Sequence, residues 1–230
     1  MDLELLKTVG LMLKAIGWVF LPFVVLPAML LVVTRSMFLE NFARSTIELI
    51  DQLSVSIAET IKWLLVALVV SVAFGVIALS IFGQAWTKFD ESATYFHATV
   101  ILLGSAATLL AGQHVRVDIF HTRMSPKSKA LVEIIGFYAL LLPFCLVLIW
   151  NAQSFVRLAW VSLEGSPESD GIQGLFVLKT LVSVFAVMML VQGFSIACRA
   201  ALLLTGKTPP ELPNNIDPLF EDHEIPDAGL

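Results

Sequence analysis

The sequence predicts an all-α integral membrane protein, and three observations carry that prediction. Of its 230 residues 57% are apolar and only 14% are charged. The mean hydropathy is +0.86, well above that of an ordinary soluble domain. Uncharged runs of about 20 residues, the length a helix needs to cross a hydrocarbon core of roughly 30 Å, recur along the chain. Four clear transmembrane helices are expected, at about 63–83, 92–112, 130–150 and 175–204, preceded by an N-terminal hydrophobic segment and an amphipathic interfacial helix.

Residues 1–62 form an N-terminal extension. Its hydrophobic segment, 15–34, is uncharged and long enough to cross, but Pro22 and Pro27 remove backbone donors in mid-run, so it crosses kinked or dips in and returns. It is too long for a cleaved signal peptide and ends in bulky residues, so it is expected to be retained. A full crossing puts the N-terminus outside, against the preference of Lys7 and Lys14 for the inside. From about 36 to 60, Phe38, Phe42, Leu49, Leu53 and Ile57 recur at helical spacing against Glu40, Arg44, Glu48, Asp51 and Glu59, the pattern of a helix lying at the cytoplasmic interface.

Residues 63–207 form the four-helix membrane domain. In its second span Gly104, Thr108 and Gly112 recur every four residues on one face, which favours close helix approach in lipid; Gly193 and Ala197 make a weaker pair in the last span. Ser125 and Pro126 suit the N-cap and first position of the third helix. Glu133 lies one turn into that helix and Pro143 kinks it. Cys145 and Cys198 fall in different apolar runs and read as unpaired apolar filler. Residues 208–230 form an acidic, proline-rich tail that reads as solvated and largely disordered.

Basic residues orient the chain. The segment from Gln113 to Lys129 holds four of them, whereas QAWTKFDE holds Lys88 alone and the 151–174 connection holds Arg157 alone among three acids. The first is therefore expected in the cytoplasm, with the C-terminus, and the other two outside. In the first, HVRVDI read as an extended segment puts His114, Arg116 and Asp118 on one face and Val115, Val117 and Ile119 on the other. A generic positive loop explains the charge without the ordered pattern, and spacing alone leaves both readings standing.

Composition and spacing also weigh against several functions. A haem anchor needs histidines at matching depth on facing helices, and only His97 lies within a span. A self-sufficient carrier or channel needs ionisable groups or broken helices near mid-membrane, and the four spans are expected to offer almost none. No nucleophile and base set, phosphate-cradling glycine loop or metal-ligand cluster points to an enzyme.

GQHVRVDIFHTRMSP after the second span, AWTKFDESATY leading into it, and VLKTLVSVFAVMMLVQGFSIACRA as the last helix resemble the small membrane subunit, DctQ type, of tripartite ATP-independent periplasmic (TRAP) transporters. The resemblance covers about Trp63 to Lys207 and leaves the N-terminal extension as a departure. It implies a scaffold in the bacterial inner membrane, multi-pass with its C-terminus cytoplasmic, that stabilises a large DctM-type subunit. That subunit would perform sodium-coupled uptake of an organic acid delivered by a DctP-type periplasmic binding protein. On this reading Trp86 and Glu91 are interface candidates, and His114, Arg116 and Asp118 brace the inner loop against helices or phospholipid. The chain itself would hold no cofactor and bind no nucleic acid, Na+ being expected in the large partner. The alternative is a membrane anchor subunit of a redox complex.

Overall fold

The computed structural model describes residues 24–32, 36–112 and 124–213. A helical stretch at 24–32 comes first. It is followed by α1 (Met37–Ile61), α2 (Trp63–Phe82), α3 (Thr87–Leu110), α4 (Pro126–Gly136), a π turn at Phe137–Leu141, α5 (Leu142–Ser162) and α6 (Leu175–Leu204). Among the described residues four helical stretches are long and apolar enough to cross a membrane: Met37–Phe82, Thr87–Leu110, Pro126–Ser162 and Leu175–Leu204.

Local chemistry explains the boundaries. Ser36 caps α1, its hydroxyl accepting from the Leu39 amide at 3.4 Å, and Ser125 caps α4 with Pro126 in the first turn, as their spacing predicts. Lys62 keeps helical backbone angles, so α1 runs into α2 without a break. Gly83 ends α2 at φ 63, and Gly112 follows α3 at φ 65, in the left-handed region that glycine enters without cost. Pro143 lacks the amide that an α-helix would direct at residue 139. The turn before it widens, and the Leu142 amide bonds to the Phe137 carbonyl, five residues back.

The third helical stretch is longer than its apolar run suggests. The chain from 151 to 162 is helical, whereas the sequence places it in a connection. Its polar side chains are accommodated locally: the Asn151 amide donates to the Val147 carbonyl at 2.7 Å, and the Trp160 indole donates to Thr180 on α6 at 2.8 Å. The tail also departs from expectation. Thr208 to Pro213 do not stand free, because the Pro210 and Glu211 carbonyls receive the Arg199 guanidinium.

The helices stand in a row, α2 packed on α3, α3 on α6, and α6 on α4 and α5, while α1 rests against α3 and α6. Two ends are distinguished below as the loop end, with residues 163–174, and the strap end, with 205–213. The core lies at the strap end, where Leu26 and Leu30 of the first stretch, Ala43, Ile47 and Ile50 of α1, and Ala130, Ile134 and Phe137 meet the second half of α6. Small residues let α6 enter it: Gly193, Ser195, Ala197, Cys198, Ala200 and Ala201 are all buried. By contrast, only Ser71 and Ala78 of α2 are buried, and the rest of that helix is left for lipid or protein to cover.

Gly193 marks the tightest approach, for a Cβ there would collide with the Leu141 side chain and lie 3.2 Å from Phe137, both in the π turn. Gly136 has open space around it. Gly193→Val is therefore expected to lower stability in detergent by about 1–3 kcal/mol through overpacking, whereas Gly136→Ala should be neutral or mildly stabilising. Thermal unfolding of the two variants side by side checks this, and equal melting temperatures would refute the role of Gly193.

Candidate functional site

The most polar part of the interior joins α1 to α6. Asp51 and Arg199 are almost wholly enclosed, at 1% and 3% side-chain exposure. The Arg199 Nε donates to Asp51 Oδ2 at 3.1 Å and its Nη2 donates to the same oxygen. Asp51 Oδ1 accepts from Gln192 Nε2 at 2.8 Å and from the Ser195 hydroxyl at 2.7 Å, and the Ser54 hydroxyl donates to Gln192 Oε1 at 2.6 Å. The remaining guanidinium donors reach the Pro210 and Glu211 carbonyls. Helical spacing makes the cluster possible: 192, 195 and 199 share one face of α6, and 51 and 54 one face of α1.

This network corrects the expectation that the spans hold almost no buried charge. Arg199 flanks the apolar run in the sequence, yet it lies five residues inside α6 and is enclosed by α1 and the strap. Asp51 belongs to the charged set of the amphipathic pattern but sits on the buried face with Ala43, Ile47, Ile50 and Ser54. Conversely, Phe38, Phe42, Leu49 and Leu53 are exposed. The available signal was Gln192, Ser195 and Arg199 falling on one helical face within an apolar run.

A second tie holds the strap to α1. Lys207 Nζ lies 2.8 Å from Glu40 Oε2, and Arg44 Nη2 lies 2.9 Å from Glu40 Oε1. Lys207 first, and then Arg44, hold the Glu40 carboxyl below the usual carboxylate range. Glu40 stands on the α1 extension, beyond the uncharged spans.

At the loop end Glu91, just before the second apolar run, accepts from the Ser166 hydroxyl and from the Ile172 amide at 2.6 Å. Lys179 pairs with Glu164 at 2.6 Å and sits 4.2 Å above the Phe155 ring, closing the α5–α6 turn. Trp86 is 49% exposed and stacks on Phe74, ring centroids 5.3 Å apart, with Phe89 against both.

The remaining sequence candidates are dispersed. Gly104 faces Ile61, whose Cδ1 would lie 3.6 Å from an added Cβ. The Thr108 hydroxyl donates to the Ser105 carbonyl, and Gly112 turns the chain after α3. His114, Arg116 and Asp118 lie outside the described residues. His97 is exposed on α3, and no group of potential metal ligands occurs among the described residues.

Every enclosed side-chain polar atom among the described residues has a partner within the chain. The chemistry of this interior is thus helix locking: its charges are paired and occupied. Asp51→Ala leaves the guanidinium enclosed without its counter-charge and is expected to cost about 3–5 kcal/mol, whereas Asp51→Leu combined with Arg199→Met should cost far less. A double-mutant cycle on detergent melting curves checks this, and additive losses would argue against a coupled pair.

No curated protein and no solved structure matches the chain. Residues 68–203, which run from within α2 almost to the end of α6 and include the Glu91 lock and Arg199 but neither Asp51 nor the strap, match the family model described as tripartite ATP-independent periplasmic transporters, DctQ component. The chain therefore belongs to the DctQ family and is the small membrane component of a TRAP transporter.

Proposed function

We propose that this chain is a fixed scaffold for a large DctM-type subunit during sodium-coupled uptake of an organic acid, with a DctP-type periplasmic protein delivering the acid. The observation that carries the proposal is the fate of Arg199, a cation enclosed in a span and spent wholly on Asp51 and two strap carbonyls. A residue that serves a moving ion or substrate needs an alternative partner, and an ionisable group within a span is by default a transport candidate. Here it joins two elements of the same chain.

Substrate and Na+ sites then belong to the large subunit, and this chain supplies surface. Trp86, half exposed at the loop end, offers part of that surface. His114, Arg116 and Asp118 brace the 113–129 segment against partner helices or phospholipid phosphate. Its four basic residues favour the cytoplasmic side, which puts the strap inside and the 163–174 loop toward the periplasmic protein.

Affinity purification in mild detergent is expected to recover a large multi-span permease at equal stoichiometry, and liposomes holding this chain alone should show no solute flux. Arg116→Ala or Asp118→Ala should reduce assembly or uptake without altering which acid is carried. A changed substrate preference in an intact complex would refute the scaffold assignment; a partner that carries haem or flavin would refute the transport one.

A further inference from the structure

We infer that the chain meets the bilayer obliquely: its lipid-facing surface is a slanted belt running from the loop end of α2 to the strap end of α4 and α5, with hydrocarbon as its occupant. The argument is one of axial register. Ser71 lies 3.4 Å from Ser92, and a Cβ on Gly75 would lie 3.0 Å from Asp90. Tyr95 comes within 3.7 Å of the same point on Gly174, so α6 begins at the height of Tyr95. Val76 therefore stands beside Asp90, five residues or about 7 Å beyond the start of α6.

On the other side of the row, Leu141 lies against Gly193. Antiparallel packing then puts Phe144 level with residue 190, fifteen residues or about 22 Å into α6. Val76 and Phe144 are thus about 30 Å apart along the bundle axis, the full thickness of a hydrocarbon core. Both are exposed, at 60% and 57%. Each lies near the middle of its own charge-free stretch, 63–87 for Val76 and 134–156 for Phe144.

No upright placement serves both stretches. Centring the bilayer on α5 leaves exposed Val76, Leu79, Ile81 and Phe82 in water. It also carries the exposed Lys62 and Glu59 pair toward mid-membrane, since neighbouring Ile61 is level with Gly104. Centring it on α2 draws Glu164, Glu168 and Asp170 of the 163–174 loop into hydrocarbon. Inclining the row satisfies every run at once, because the charge-free stretches step toward the strap end in the order α2, α3, α6, with α5 level with α6. Helices longer than an upright crossing needs supply the extra reach: Pro126–Ser162 has 37 residues and Leu175–Leu204 has 30.

The test is spin labelling of Val76→Cys and Phe144→Cys in the purified complex with its large subunit, reconstituted in phosphatidylcholine and phosphatidylglycerol bilayers. Native Cys145 and Cys198 are buried. Power saturation with oxygen against a water-soluble nickel chelate is expected to place both labels deep in hydrocarbon, each far more relaxed by oxygen than by nickel. Nickel access at either site, or two shallow sites, would overturn the inference in favour of an upright bundle. A label shielded from both quenchers would overturn it too, because protein would then be the occupant. Ile77→Cys and Val147→Cys, also exposed, repeat the measurement should either first variant fail to fold.

Discussion

The enclosed Asp51–Arg199 pair is the constraint on which the packing of α1 depends. Lipid tails are as apolar as leucine, so helix association in a bilayer gains little from hiding apolar surface and leans on close packing and polar contacts. Apolar contact alone would let α1 slide or rotate against α6 at small cost. Asp51 accepts four bonds from three residues of α6 spread over two turns, and Ser54 adds a fifth through Gln192. A displacement of one residue would break several of these together and leave charge unpaired in a dry interior, where that is most expensive. The Arg199 bonds to Pro210 and Glu211 bring the strap into the same arrangement.

A corresponding lock operates at the opposite end. Glu91 opens α3 and holds the loop that leads into α6, while Lys179 and Glu164 close the turn between α5 and α6. Since α1 and α2 form one continuous helix, fixing α1 to α6 at the strap end and α3 to the loop before α6 determines how far α2 stands displaced from α5. The stagger of apolar runs is thus a property held at both ends by polar contacts. Between them Gly193 lets the π turn approach α6 closely.

The sequence revealed much of this and hid the rest for identifiable reasons. Uncharged runs announced α2, α3 and α6 to within a few residues, because length and hydropathy are what a bilayer demands. The same reasoning lost the helix from 151 to 162, where Asn151, Gln153 and Arg157 interrupt the run although the backbone continues and Trp160 packs on α6. The amphipathic pattern of α1 was real, but it did not tell which of its polar residues another helix would enclose. In water the apolar face turns inward; here Phe38, Phe42, Leu49 and Leu53 face outward, while Asp51 and Ser54 are enclosed. The family resemblance singled out Glu91, yet its partners lie 75 and 81 positions away and no local pattern could name them.

These features together separate stiffness from transport in the architecture. A path for ions or substrates requires polar groups that can exchange partners, and discontinuous helices at mid-membrane are the usual means of supplying them. Among the described residues the enclosed polar clusters lie toward the two ends and each enclosed side-chain polar atom has a partner, and the interruption at Pro143 is repaired with a π turn packed on α6 instead of an opened helix. A bundle held at both ends in this way resists sliding of its helices along their axes. The exposed apolar faces can then meet lipid or a neighbouring subunit without disturbing the register behind them.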